Sequence, residues 1–403
     1  MIIGGGVEQI PAYERAKNRG LRIVGTDIDP NAPALQLADH VLVVSTKDAQ
    51  ATALKAEEFN RIHKIDGVMT IANDVPYTVA LVANQLGLPS LELHSAVLAT
   101  DKLLMKDAFT KAGVECPWYS EVNSENQLAE LTEDRDRQDY VIKPTDGSGA
   151  RGVLLINGQT DIKWAYAKAV KWGRSGSVIV EKFIPGLQLS SESFILDGKC
   201  FTPALAERNY SRLDQFRPHI IEDGGTIPAL IDASLNEKIS DLILRGALAM
   251  GIERGIVKGD LVIGEDGEPL IIELAARLSG GWLSTHQIPA TTGVDLVNAV
   301  ISDALGIDVK ESDLVAKFNR ATAIRYFFPP EGQIVAIDGL DEIARSAGVL
   351  KYGIFRQVGD FQPKVLMHPD RFGFVLVEAD TREQAIELVD QAISKLTIKV
   401  KMP

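Results

Sequence analysis

Asp260 and Glu273 are the residues whose types and spacing most directly suggest chemistry. They lie in the stretch GIVKGDLVIGEDGEPLIIELAARLSGG, residues 255–281, which reads as a β-hairpin. Residues 256–263 alternate around β-branched side chains, Asp266-Gly267 is a two-residue turn signal, and 270–274 is a short apolar strand. With Asp266 and Gly267 as the turn, Glu265 pairs with Glu268, and counting outward sets Asp260 opposite Glu273 on one face. Like charges facing each other inside an apolar ladder destabilise it. A divalent cation removes the conflict, since Mg²⁺ takes one or two carboxylates plus substrate phosphate oxygens. A shared proton, or Lys258 on the same face, would also remove it.

Three further stretches suit an anion. Thr100-Asp101-Lys102 opens a helix that stops at Gly113, and Lys102 sits where the helix dipole is positive, a place that suits a docked anion or a lysine paired to a neighbouring aspartate. The strand YVIKP at Tyr140–Pro144 carries Lys143 and runs into the loop 146–152. Gly147, Ser148, Gly149 and Gly152 give that loop backbone N–H groups able to close over phosphate oxygens. The spacing is not that of a Walker loop. A strand through Glu181, Lys182, Phe183 and Ile184 then enters an extended Pro-Gly segment, either an edge strand with a turn or a source of backbone donors and acceptors for a base edge.

The elements that must position these groups alternate strand and helix over residues 1–95, which predicts a parallel sheet covered on both faces. Its glycine turn, Gly4-Gly5-Gly6, and Asp27 resemble part of a dinucleotide fingerprint, but Gln9 stands where GxGxxG needs glycine. A tight turn without a dinucleotide is the reading, with NAD as its alternative. From about residue 310 the pattern resets to strands over 321–328, 333–337, 349–356 and 372–379 and a last strand at Thr397–Lys401. A helix follows Leu340 and another a capping signal at Thr381. The 403 residues carry a net charge of −13, which argues against an extended nucleic-acid surface. Cys116 and Cys200 form no paired motif, no run of apolar residues is long enough to span a membrane, and the N-terminus has no signal-peptide pattern. A cytoplasmic α/β protein is expected.

Taken in order, TDK at 100–102, IKPTDGSGARGV at 142–153, EKFIPG at 181–186, Asp260, and ELAAR at 273–277 resemble the ATP-grasp superfamily, ligases that join a carboxylate to an amine or similar nucleophile. The resemblance implies a Rossmann-like pre-grasp domain at 1–95, a central ATP-grasp fold of two subdomains at 96–309 with its flap subdomain at about 116–190, and a small C-terminal α/β lid at 310–403. It implies ATP with Mg²⁺ or Mn²⁺ and small-molecule carboxylate and nucleophile substrates, and leaves room for a homodimer; the charge and the lack of a long apolar run are what speak against a nucleic-acid or membrane partner.

Residue by residue, Lys102 and Lys143 look like phosphate-contacting lysines and 147–152 like the flap. Glu181 and the backbone of Lys182, Phe183 and Ile184 look like the adenine hinge, with Gln188 at the ribose and Glu192 as a further polar group of the ATP pocket. Asp260 and Glu273 look like the metal ligands. Ala275 departs from the usual Asn, and Lys258, opposite it, would supply part of the missing charge to the γ-phosphate. Arg277 and the backbone of Ser279, Gly280 and Gly281 suit a carboxylate or acyl-phosphate. Glu207, Arg208, Tyr210, His219, His286 and Arg325 are the substrate-contact candidates. An enzyme activating bicarbonate, as biotin carboxylase or a carbamoyl-phosphate synthetase half does, is the alternative reaction. A non-catalytic nucleotide-binding module or an NAD-dependent dehydrogenase is the alternative of another class.

Overall fold

The computed structural model describes residues 1–402. Near the N-terminus, strands Ile2–Ile3, Val24–Asp27 and His40–Val43 pair in parallel, with helices Ile10–Asn18, Ala49–Asn60 and Pro76–Leu86 packed around them. The segment 67–71 joins this sheet only by a bridge from Met69 to Ile2; Ile71 instead bridges forward to Leu278. The glycine turn is closed from within. Gln9 is buried, its Nε2 donates to the Ile71 carbonyl at 2.8 Å, and its side chain fills the space beside Gly4. Asp27 accepts from the Gly5 N–H at 2.9 Å. The fingerprint's acid and third glycine position are thus both used to brace the turn.

A four-stranded antiparallel sheet follows, ordered Tyr119–Val122, Val178–Lys182, Tyr140–Pro144 and Leu154–Ile156. Helices Glu125–Leu131 and Ile162–Trp172 cover one face, burying Leu128, Ile142, Ile156 and Val180 completely. The largest sheet has nine antiparallel strands. From the edge it runs Pro269–Ala275, Gly255–Ile263, Leu187–Leu196, Leu205–Asn209, Gly224–Ile227, Ala321–Phe327, Gly373–Ala379 and Val349–Ile354, with Lys199–Phe201 paired to Leu187–Leu196. It therefore passes without a break from residues near 190 to residues beyond 370. Helix Ala233–Ala249 packs beneath its hairpin end and helix Arg382–Ile393 beneath its C-terminal end. A small sheet of Phe361–Gln362, Gly332–Asp338 and Thr397–Lys401 completes the fold.

The hairpin reaches the expected pairing by a different route. Gly264 N–H donates to the Glu268 carbonyl at 3.1 Å, so the loop has three residues, Glu265 to Gly267, with Gly267 in the left-handed region at φ +81°. That alone would put Asp260 opposite Ile272. A register shift beyond the Leu261–Ile271 pair leaves Ile272 unpaired and restores Asp260 to Glu273 and Lys258 to Ala275.

Candidate functional site

One cavity of about 930 Å³ lies where the four-stranded sheet, the hairpin edge of the large sheet, residues Val7 and Glu8 after the N-terminal glycine turn, and the C-terminal segment converge. Its walls hold Lys102, Lys143, the loop from Gly147 to Arg151, the strand end 181–186, Gln188, Asp260, Glu273 and Arg277. The five stretches read from the sequence are thus brought together.

Asp101 caps helix Lys102–Ala112 by accepting from the N–H of Leu103 and Leu104, and Gly113 ends it at φ +68°. Lys102 Nζ donates to the Gly147 carbonyl at 2.8 Å and lies 3.3 Å from Glu273 Oε1, so it links flap to hairpin rather than pairing with Asp101 or Asp107. One turn on, Lys106 is wholly buried with its Nζ 3.4 Å from Glu181, which also receives Lys143 at 2.8 Å. Burial pushes the Glu181 carboxyl up, but Lys106 and Lys143 outweigh it and hold the group below the usual range. Burial lowers the Lys106 ammonium, with Glu181 opposing. Sequence reasoning missed Lys106, though its place one turn after Lys102 puts it on the same helix face.

In the segment expected as the adenine hinge, Phe183 N–H is spent on the Asp139 carbonyl at 3.0 Å, while Ile184 N–H has no partner among the described residues and Ile184 lines the cavity. Gln188 reaches back to the Ile184 carbonyl.

Asp260 and Glu273 differ in their surroundings. Arg208 Nη1 lies 3.0 Å from Asp260 Oδ1, and Lys258 pairs with Oδ2. Burial raises the Asp260 carboxyl, but Arg208 and Lys258 hold it far below the ordinary carboxylate range. Glu273 has Lys102 as its one ion pair among the described residues, and its side chain is 30% exposed to the cavity. A metal with two protein carboxylates and open positions for phosphate oxygens suits Mg²⁺; Glu273 is open to the cavity as such a ligand, while Asp260 would have to release Lys258 or Arg208 to join it. Arg208 is further fixed by two hydrogen bonds to Glu222 and lies 5.3 Å from the Tyr210 ring. Glu207 also lines the cavity, with its carboxylate paired to Arg382 at 2.7 Å.

Arg277 pairs with Asp74 at 2.5–2.6 Å; burial raises the carboxyl of Asp74, absent from the sequence reading, but Arg277 with Lys102 and Lys258 holds it below the usual range. Gly281 N–H donates to Glu8 Oε1 at 2.7 Å, so the N-terminal glycine turn carries a carboxylate into the cavity; burial raises its pKa. The C-terminal segment adds Tyr326, His368 and Arg371, also missed because they are brought in from far along the chain.

Five expected site residues stand elsewhere. Glu192 shares the strand face of Gln188 and Ser190, yet the 277–281 segment covers it: it is fully buried and accepts from the Ser279 N–H at 2.8 Å and from the Ser279 hydroxyl. Gly152 packs against Trp172 instead of lining the cavity. Arg325 points to the opposite sheet face from its neighbours Ile324 and Tyr326 and lies 3.5 Å from Asp390 on helix Arg382–Ile393. His219 bridges to Leu154 and packs edge-on to Trp164; burial lowers its pKa. His286 packs edge-on to Trp282 at 5.4 Å, outside the cavity, and burial pushes its pKa down to about 4.

Comparison with known proteins adds to this geometry. The ATP-grasp domain family matches residues 99–281, and the family "L-amino acid ligase C-terminal domain 2" matches residues 325–401. "Uncharacterized protein y4rH" of Sinorhizobium fredii is 24% identical over 347 residues, 84% of this chain and 70% of that protein. Carnosine synthase 1 of Mus musculus is 23% identical over 337 residues, 76% of this chain but only 39% of the synthase. The L-amino acid ligase from Bacillus licheniformis superposes over 99% of this chain and 98% of its own, with a TM-score of 0.82 at 21% identity. No helix among the described residues is long and apolar enough to cross a membrane. This chain thus carries an ATP-grasp domain over residues 99–281 and a C-terminal domain of the L-amino acid ligase type over residues 325–401, in a fold it shares with the L-amino acid ligase of Bacillus licheniformis.

Proposed function

We propose that the protein is an ADP-forming carboxylate–amine ligase with an amino acid among its substrates. The observation that supports this best is the single cavity holding phosphate-type groups (Lys102, Lys143, the glycine loop, Asp260 and Glu273) together with carboxylate-type groups (Arg277 and the backbone of 279–281). The alignment of residues 325–401 with the L-amino acid ligase domain supports an amino acid in particular.

In the proposed reaction a substrate carboxylate oxygen attacks the γ-phosphorus of ATP, ADP leaves, and the acyl-phosphate is attacked at carbon by an amine that expels phosphate and gives up a proton. Charge spreads over phosphoryl oxygens in the first step, so positioned cations supply most of the help. Lys102 and Lys143 are buried and pre-placed for this, and Arg277 can hold a carboxylate by its fork while Asp74 fixes its orientation. Mg²⁺ or Mn²⁺ held by Asp260 and Glu273 would draw charge from the phosphoryl oxygens. The 147–152 loop shields the acyl-phosphate from water when closed. Cytoplasmic location and a homodimer belong to the same reading, and the net charge of −13 favours neither nucleic acid nor an anionic membrane as partner.

Incubating the protein with Mg-ATP and amino acids, singly and in pairs, tests the proposal. ADP and phosphate release that needs an amino acid, with a ligated product detected by mass, is the expected result. Release activated by bicarbonate alone, or unaffected by any carboxylate, would contradict it.

A further inference from the structure

Residues 366–371 form a tight turn that the described reaction has not used. Asp370 Oδ2 accepts from the N–H of Leu366 at 3.0 Å and Met367 at 3.2 Å, and Arg356 and Gln362 hold the carbonyl of Asp370. The turn is thus a fixed platform. Two of its side-chain nitrogens, His368 Nε2 and Arg371 Nε, are buried in the protein without any hydrogen-bond partner, and both residues line the cavity. Arg371 is oriented by its Nη2 bond to the Glu222 carbonyl at 2.6 Å and by the Tyr326 ring 3.8 Å from its guanidinium carbon. Buried polar groups normally find partners, and these two do not. The same turn touches the flap: His368 N–H donates to the Gly149 carbonyl at 3.2 Å, and Pro369 lies beside Gly149.

We propose that His368 and Arg371 form a binding element for an anionic oxygen group of a bound substrate, and that the His368 backbone bond to Gly149 couples occupancy of this element to closure of the flap. The assignment rests on the ligase reading for which group arrives. Either the carboxylate of the amino-acid substrate or the terminal phosphoryl of the nucleotide has the required chemistry. Burial, with Arg371 and Arg208 nearby, keeps the imidazole neutral, as suits a ring that donates to an oxyanion without bringing a charge of its own.

The test uses His368→Ala and His368→Gln in the full chain, with unfolding midpoints measured first to establish folding. AMPPNP and ADP binding by calorimetry forms one arm, and KM for the amino acid against that for its amide forms the other. A loss of about ten-fold or more in AMPPNP affinity with ADP unchanged identifies a phosphoryl group. A comparable rise in KM for the acid but not the amide identifies a carboxylate. His368→Gln, which keeps a donor near the Nε2 position, is expected to recover part of either loss. In wild type, amide hydrogen exchange at His368 is expected to slow when AMPPNP binds. Unchanged values in both arms for folded variants overturn the binding role, and unchanged exchange overturns the coupling. If no amino acid is turned over, the ligase reading fails, and the AMPPNP and exchange measurements still decide this one.

Discussion

Glu192 shows how a single buried carboxyl sets the site. It is fully enclosed, its Oε1 holds both donors of Ser279, and its Oε2 has no partner. Burial pushes its pKa up to about 7, against Ser279, Arg277 and Lys258, which pull it down. The folded value lies above the unfolded one of 4.5, so between the two the native state binds more protons. Stability therefore falls as pH rises from about 4.5 to about 7 and no further above that, by about 3 kcal/mol from this group. Urea unfolding at pH 5 and pH 8 is expected to show that loss in wild type and not in Glu192→Gln. The sequence places Glu192 on the right strand face, because Gln188, Ser190 and Glu192 share parity. It cannot say that a segment 87 residues later covers one of the three. Arg325 fails for the complementary reason: its strand is buried on both faces, and parity alone does not say which face is the cavity.

At the scale of elements, the hairpin is the part that sequence made most legible, since an Asp-Gly turn and alternating apolar residues leave few registers that bury one face. Its loop length and its bulge were not legible, because both depend on how Gly264, Gly267 and Ile272 fit the neighbouring strands. The two departures of one residue cancel, and the facing carboxylates survive. Gly267 holds the loop at φ +81° with open space around its α-carbon, so Gly267→Ala meets backbone strain and no clash. It is expected to lower stability by about 1–2 kcal/mol in chemical denaturation, and a loss within error would show that the loop adapts. The helix Lys102–Ala112 was equally legible from its Asp cap and Gly113 stop, whereas the buried Lys106–Glu181–Lys143 cluster needs the tertiary fold to exist.

Across the whole molecule, the cavity is a meeting of distant segments. Asp74 and Glu8 come from the first hundred residues, Arg277 and 279–281 from the hairpin's end, and His368 and Arg371 from beyond residue 360. The backbone follows the same scheme, with Ala72 N–H bonded to the Leu278 carbonyl and Arg15 paired to Asp295. Such contacts hold the N-terminal layer against the large sheet and bring Glu8, just after the glycine turn, to the cavity wall. Order and type of the motifs could be read from the chain; which side chains close the cavity could not, because that is decided by the packing of layers far apart in sequence.

The most direct test of the central claim compares wild type with Asp260→Asn and Glu273→Gln. ADP release is followed with Mg-ATP and the amino acids found to activate it, after confirming that each variant folds. By analogy with other groups that stabilise developing charge, loss of either carboxylate is expected to lower the rate by about 100-fold or more. ADP release at the wild-type rate in both folded variants would show that the facing carboxylates are not the site of phosphoryl transfer.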